Sequence, residues 1–178
     1  MAETILNKSS NEQFKDDYTR YALYTTYKRV LSDMRDGLKP VQRRILWAMF
    51  HDTKAVTHTV KSAAVVGDVM KLYHGHGDVG IYGTIKPMTN WFESKVPLVD
   101  NQGSFGNLEG DPASAPRYTE CKLSKFALEC VIGELANTTK AVDWLNNYSN
   151  TCLEPEYLPV KVPLLLIEGS LGIGVGLR

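Results

Sequence analysis

Over its first half the chain repeats apolar positions at helical spacing. Beyond that it breaks into segments rich in Gly, Asn and Pro. Ser10 followed three residues later by Gln13 has the form of a capping box, which predicts a helix over about 11–32. Within it Tyr18, Tyr21, Tyr24 and Tyr27 lie three apart along one slowly rotating face, suited to packing against this domain or a partner subunit. Asp36-Gly37 marks a turn, and Pro40 suits the first turn of a second helix. That helix runs to about Phe50, with Val41, Ile45, Leu46 and Met49 at core spacing. A third helix fits residues 60–73. "HGHGD" then breaks the pattern, and a fourth helix covers Val79 to Phe92. Gly80, Gly83 and Pro87 all disfavour its interior, so it is expected to be kinked or shortened.

Residues 96–117 read as a loop or short β-wing, and 120–136 return to a helical pattern. "PVKVPLLLIEGSLGIGVG" reads as a strand, a Gly-rich turn and a second strand. The expected class is α+β and mostly helical. Three short helices followed by a wing suggest a winged-helix domain of helix-turn-helix type.

Composition narrows the function classes. The chain has 178 residues, enough for one or two small domains with a real core. No apolar run reaches the roughly 18 residues of a membrane span, and the N-terminus is too polar for a secretory segment, so a cytoplasmic location is expected. Cys121, Cys130 and Cys152 form no CxxC pair and suggest neither a zinc site nor a disulfide framework. Net charge is zero, but from Arg20 to Lys61 nine Lys or Arg stand against three Asp, an excess of six positive charges. On charge alone this stretch fits a set of solvated helix faces and a polyanion-binding surface equally.

"DMRDGLKPVQRRILWAM", "KSAAVVGDVMKLYHGHGD", "NQGSFGN", "PRYTE" and "GSLGIGVG" occur in this order along the chain. In order and spacing they resemble the A subunits of bacterial type IIA DNA topoisomerases, those of DNA gyrase and topoisomerase IV, from about residue 20 onward. Gln42 in "KPVQRR" is similar to topoisomerase IV sequences, whereas gyrase often has His there.

The resemblance implies the breakage–reunion region of such an enzyme. It divides the chain into an N-terminal arm helix (1–33), a winged-helix DNA-cleavage domain (34–136) and the start of a tower domain (137–178). Tyr118 would be the nucleophile that joins the 5′ end of a cut strand. Read alone, it is an ordinary packed or rim aromatic. A phenol ionises near pH ~10 and needs activation, which Arg117 beside it would supply, as it would stabilise charge on the phosphoryl oxygens. Arg35, Lys39, Arg43 and Arg44 would lie along the DNA backbone, where phosphate contacts position a duplex without reading it. His74, His76 and Asp78 would sit near the scissile phosphate, although either histidine alone fits a structural role as well. "HxH" without further ligand spacing is weak for zinc, and no metal site is expected on this chain. Ile173 would wedge between base pairs and bend the duplex.

The family's "HPHGD" is "HGHGD" here, with Gly75 for Pro. Val79 and Gly83 stand where common members carry the Ser and acidic residue that anchor quinolone drugs, so a weak drug response is expected. The implied partners are double-stranded DNA, a second copy of the A subunit, and a B subunit with Toprim and ATPase domains; no membrane is implied. The implied cofactors are Mg²⁺, held mainly by that Toprim domain, and ATP on the partner ATPase. The implied location is the cytoplasm, at the nucleoid. The chain stops just inside the tower, which raises the expectation of a truncated or split enzyme, weak or inactive alone. The alternative is a non-catalytic DNA-binding or decoy fragment of the same fold.

Overall fold

A computed structural model describes residues 8–174. The chain divides into two compact units, one formed by its two terminal segments up to Leu31 and from Leu171, the other by Ser32–Ser170.

In the first unit, helix α1 spans Ser10–Thr25. Its cap is Ser9, one residue earlier than the Ser10–Gln13 pattern suggested. The Ser9 hydroxyl accepts the Glu12 N–H, and the Glu12 carboxylate accepts the Ser9 N–H at 3.1 Å. A carboxylate is a stronger acceptor than an amide, and it suits the positive end of the helix dipole. The continuous helix expected to residue 32 widens instead into a π-helical turn, Thr26–Val30, where the Leu31 N–H reaches back to the Thr26 carbonyl. Val30 packs so tightly on Gly172 that a Cβ there would lie 2.5 Å from Val30 Cγ1. Phe14, Tyr18, Tyr21, Tyr24 and Tyr27 are all more than half exposed, and the Phe14 and Tyr18 rings stack on each other.

The second unit is α+β. Helix α2 (Pro40–His51) starts where Pro40 places it, and the Gln42 side chain accepts the Lys39 N–H at 2.9 Å. Helix α3 covers Ser62–Leu72 and α4 covers Asp78–Thr89. The three pack through Ile45, Leu46, Met49, Val65, Val69, Ile81 and Ile85, all fully buried. Helix α4 contains Pro87 and stops at Thr89, three residues short of Phe92, because Asn90 is already extended.

A three-stranded antiparallel sheet in the order β1-β3-β2 covers this core. Strand β1 is Val60–Lys61, β2 is Val99–Gln102 and β3 is Glu120–Leu123. Two helix expectations yield here. Residues 60–61 pair with Glu120–Cys121 before α3 begins. Residues 120–123 alternate, with Cys121 and Leu123 buried and Glu120 and Lys122 turned outward, which is strand periodicity. Strand β2 aligns Val99 with Leu123 and Gln102 with Glu120. Helix returns only as a π-helical turn (Ala127–Val131) and α5 (Gly133–Asn137).

A hairpin of β4 (Trp144–Asn146) and β5 (Leu153–Pro155) follows. Its turn residue Asn147 donates to the Leu72 carbonyl at 2.6 Å and so closes the C-terminal end of α3. The strand expected within 159–168 is instead a short helix, α6 (Leu164–Glu168). An apolar run such as "LLLI" has no period to distinguish the two. Glu168 locks α6 in place by accepting the N–H groups of Lys95 and Val96 at 3.1 and 2.7 Å. The second strand of that prediction falls mostly beyond the described residues. Among the described residues no helix is long and apolar enough to cross a membrane.

Candidate functional site

Tyr118 sits on a tight turn closed by its own N–H donating to the Ala115 carbonyl at 2.9 Å. The turn connects to β3, which holds it from one side. From the other it docks on the start of α3. The Ser62 N–H donates to the Thr119 carbonyl at 3.0 Å and the Ala63 N–H to the Pro116 carbonyl at 3.1 Å. The first N–H groups of any helix lack intrahelical partners, and here the tyrosine's own turn supplies them. Tyr118 is 64% exposed, and the Arg117 guanidinium carbon lies 4.7 Å from its ring centroid. A phenol is thus presented to solvent on a fixed backbone with a permanent cation over its ring.

The basic residues divide by burial. Arg43 donates to Asp36 through Nε at 2.6 Å and Nη2 at 2.9 Å, and to the Leu38 carbonyl at 3.2 Å. Asp36 is wholly buried and also accepts the N–H groups of Leu38 and Leu158. The phosphate contact expected for Arg43 therefore gives way to a structural role. Its charge is consumed inside the fold, where it ties the turn before α2 to the segment after β5.

Arg44 is partly exposed and forms a bidentate pair with Glu154 at 2.8 and 2.7 Å, while its Nη1 lies 3.3 Å from His74 Nδ1. Arg35 is exposed. It chelates Asp33 at 3.0 and 2.8 Å, reaches Glu156 at 3.1 Å and covers the Tyr157 ring at 4.2 Å. These carboxylates raise the Arg35 pKa further, and Arg35 in turn holds the Asp33 carboxyl below its usual range. Lys39 is partly buried at the start of α2.

His74 and His76 meet edge to face with ring centroids 4.8 Å apart. The Tyr148 ring packs on Gly75 between them, 3.1 Å from where a Cβ would sit. Asp78 opens α4, and Val79 and Gly83 lie one turn apart on its exposed face. Gly83 has open space around it.

The structure brings Arg117 to Tyr118 and Arg44 to His74. Within the second unit it does not gather the candidates at one point. The Tyr118 turn caps the start of α3, whereas His74 lies just past its end, about 16 Å along an eleven-residue helix. Ile173 belongs to the first unit and is 82% exposed between Gly172 and Gly174, both held against Val30. Among the described residues no group of three or more His, Cys, Asp or Glu converges as a metal site.

Sequence reading missed Glu154 and Glu156, which pair with Arg44 and Arg35. They stand 110 and 121 residues from their arginines, and no local spacing signals such pairs. It also missed Ser62, Tyr82 and Thr119 beneath the tyrosine turn.

The turn thus leaves an exposed, cation-covered phenol locked to a helix and a sheet. The chain belongs to the family of DNA gyrase and topoisomerase IV A subunits, whose model matches residues 29–178. It is 42% identical to the DNA gyrase A subunit of Thermotoga maritima over 178 residues, 99% of this chain and 22% of that protein. It is 47% identical to the corresponding subunit of Aminobacterium colombiense over 167 residues, 93% of this chain and 20% of that protein. With that of Pseudomonas aeruginosa it shares 44% over 178 residues, 99% of this chain and 19% of that protein. The chain spans about a fifth of the length of these relatives.

Proposed function

We propose that this chain is the DNA breakage–reunion portion of a type IIA topoisomerase A subunit. Residues 34–136 act as its winged-helix cleavage domain, 1–33 as its arm and 137–178 as the start of its tower. The Tyr118 oxygen attacks a backbone phosphorus in line. A new phosphorus–oxygen bond to tyrosine forms as the bond to the 3′ oxygen breaks. The phenolic proton leaves to solvent or a base, and the released 3′ oxygen takes up a proton. The 5′ end remains esterified to the protein, and attack by the 3′ hydroxyl reverses each step without ATP. Arg117 stabilises charge on the phosphoryl oxygens. Arg35, Lys39 and the exposed part of Arg44 hold the backbone, with His74, His76 and Asp78 beside it, and Ile173 bends the duplex.

Two copies of the subunit make the double-strand gate, together with a B subunit whose Toprim domain holds Mg²⁺ and whose ATPase domain drives strand passage in the bacterial cytoplasm, at the nucleoid. The observation that carries this reading is Tyr118 itself, exposed on an anchored turn beneath Arg117.

The test mixes the protein with a Toprim-bearing B subunit, Mg²⁺ and duplex DNA labelled at either end, then traps with detergent. A covalent adduct that retains the 3′ label, releases the 5′ label and vanishes in Tyr118→Phe is the expected result. An adduct that survives Tyr118→Phe, or none with any B subunit, overturns the reading.

A further inference from the structure

Under the tyrosine turn lies a buried chain of hydroxyl groups that the reaction itself does not use. Tyr82, on the inner face of α4, donates to the Ser114 carbonyl at 2.7 Å, and its oxygen lies 2.9 Å from the Thr119 hydroxyl. Thr119 donates onward to Ser62 Oγ at 2.9 Å, and Ser62 Oγ lies 3.7 Å from Cys121 Sγ. Ser62 and Thr119 are wholly buried and Tyr82 is 8% exposed. Every member either belongs to the segment that carries Tyr118 or grips it. Ser114 and Thr119 bracket the turn, while Ser62 and Tyr82 come from the two helices beneath it.

Because Tyr118 is mostly exposed, packing around its ring cannot set its place. Only the backbone can, and that backbone is fixed at Ser114, Pro116 and Thr119 by partners on α3 and α4. A buried polar chain used only for stability gains little over apolar groups of the same shape. Its directional bonds do fix one geometry, and in-line attack is sensitive to errors of about 1 Å. We propose that Tyr82, Thr119 and Ser62 are positioning residues that set the Tyr118 oxygen for attack and make it follow α4, the helix that exposes Val79 and Gly83. This rests on Tyr118 being the nucleophile.

The experiment uses the protein reconstituted with its B subunit. Single-turnover cleavage at saturating DNA is measured alongside DNA affinity and thermal unfolding. Thr119→Val and Tyr82→Phe each remove one hydroxyl and keep the shape. The expected result is cleavage slowed about 10- to 100-fold with DNA affinity within about twofold, as for a misplaced reacting group. Thr119→Ser restores the rate, and the double variant is no slower than the worse single one, since both belong to one unit. Wild-type rates in both single variants overturn the proposal, as does a loss that only tracks DNA affinity, or a Thr119→Ser loss equal to that of Thr119→Val. Should Thr119→Val unfold, Tyr82→Phe decides alone. A Tyr118→Phe arm separates the two ideas. Adduct in that arm, or none from the wild type, removes the nucleophile and this proposal together. Loss of adduct only in Tyr118→Phe, with Thr119→Val and Tyr82→Phe as fast as the wild type, removes this proposal alone.

Discussion

Arg43 and Asp36 form a buried two-point ion pair, with guanidinium nitrogens 2.6 and 2.9 Å from the two carboxylate oxygens. Asp36 also accepts two backbone N–H groups, so its oxygens are fully engaged. Removing either partner leaves an uncompensated buried charge, which typically costs about 3–5 kcal/mol. Arg43→Ala and Asp36→Ala are each expected to lower stability by about that much in urea unfolding. The double variant is expected to lose much less than the sum of the two.

Arg44 offers the contrasting case, because its bidentate partner Glu154 competes with any phosphate. Glu154→Gln is expected to tighten binding of a non-specific duplex and to steepen the dependence of log affinity on log salt by up to about one unit. Arg44→Ala is expected to change that slope by less than one unit, since its charge is already partly spent. Titrations at several salt concentrations check both.

Val79 and Gly83 present a bare, apolar stretch of α4 to solvent. Neither can anchor a hydrated metal ion or a polar drug. Val79→Ser with Gly83→Glu is expected to raise quinolone-stabilised cleavage in the reconstituted enzyme. It should do so without loss of stability, because replacing a helical glycine gains about 0.5–1 kcal/mol and open space awaits the side chain. Equal drug response in both forms would count against the inference.

Burial pushes the Cys121 thiol from 9.0 up to about 11. Between those values the folded protein keeps a proton that the unfolded chain releases. Stability therefore falls as pH rises from about 9 to about 11, and below that window the thiol has no effect on it. Tyr73, also raised by burial and by its bond to Asp52, adds to the decline at the upper end. From about pH 9 to about 11 the wild type is expected to lose unfolding free energy relative to Cys121→Ala, and at neutral pH the two are expected to run parallel.

Helix α2 was legible in the sequence because its signals are local. Pro40 sits in its first turn, and Ile45, Leu46 and Met49 keep helical spacing. Strand β3 was not. Four residues of alternation in "ECKL" are too few to outweigh the helical pattern that follows, and its pairing with Val99–Gln102 is a tertiary fact. The tyrosine could be singled out from its motif and its arginine neighbour. The fate of the basic stretch could not, because whether Arg43 faces solvent or Asp36 depends on how the turn before α2 folds back. Ser62, Tyr82 and Thr119 look like ordinary residues of three separate segments until the fold joins them.

Helix α3 is finished at both ends by residues made long after it. The Tyr118 turn satisfies its first N–H groups, and Asn147 satisfies the carbonyl of Leu72. A nascent chain that has emerged only as far as residue 100 contains all of α3, yet both its ends still face water. The final hydrogen bonds at both ends of this helix and the placement of the Tyr118 phenol thus await the same later segments of the chain. A polypeptide cut anywhere between residues 74 and 114 lacks the residues that supply both.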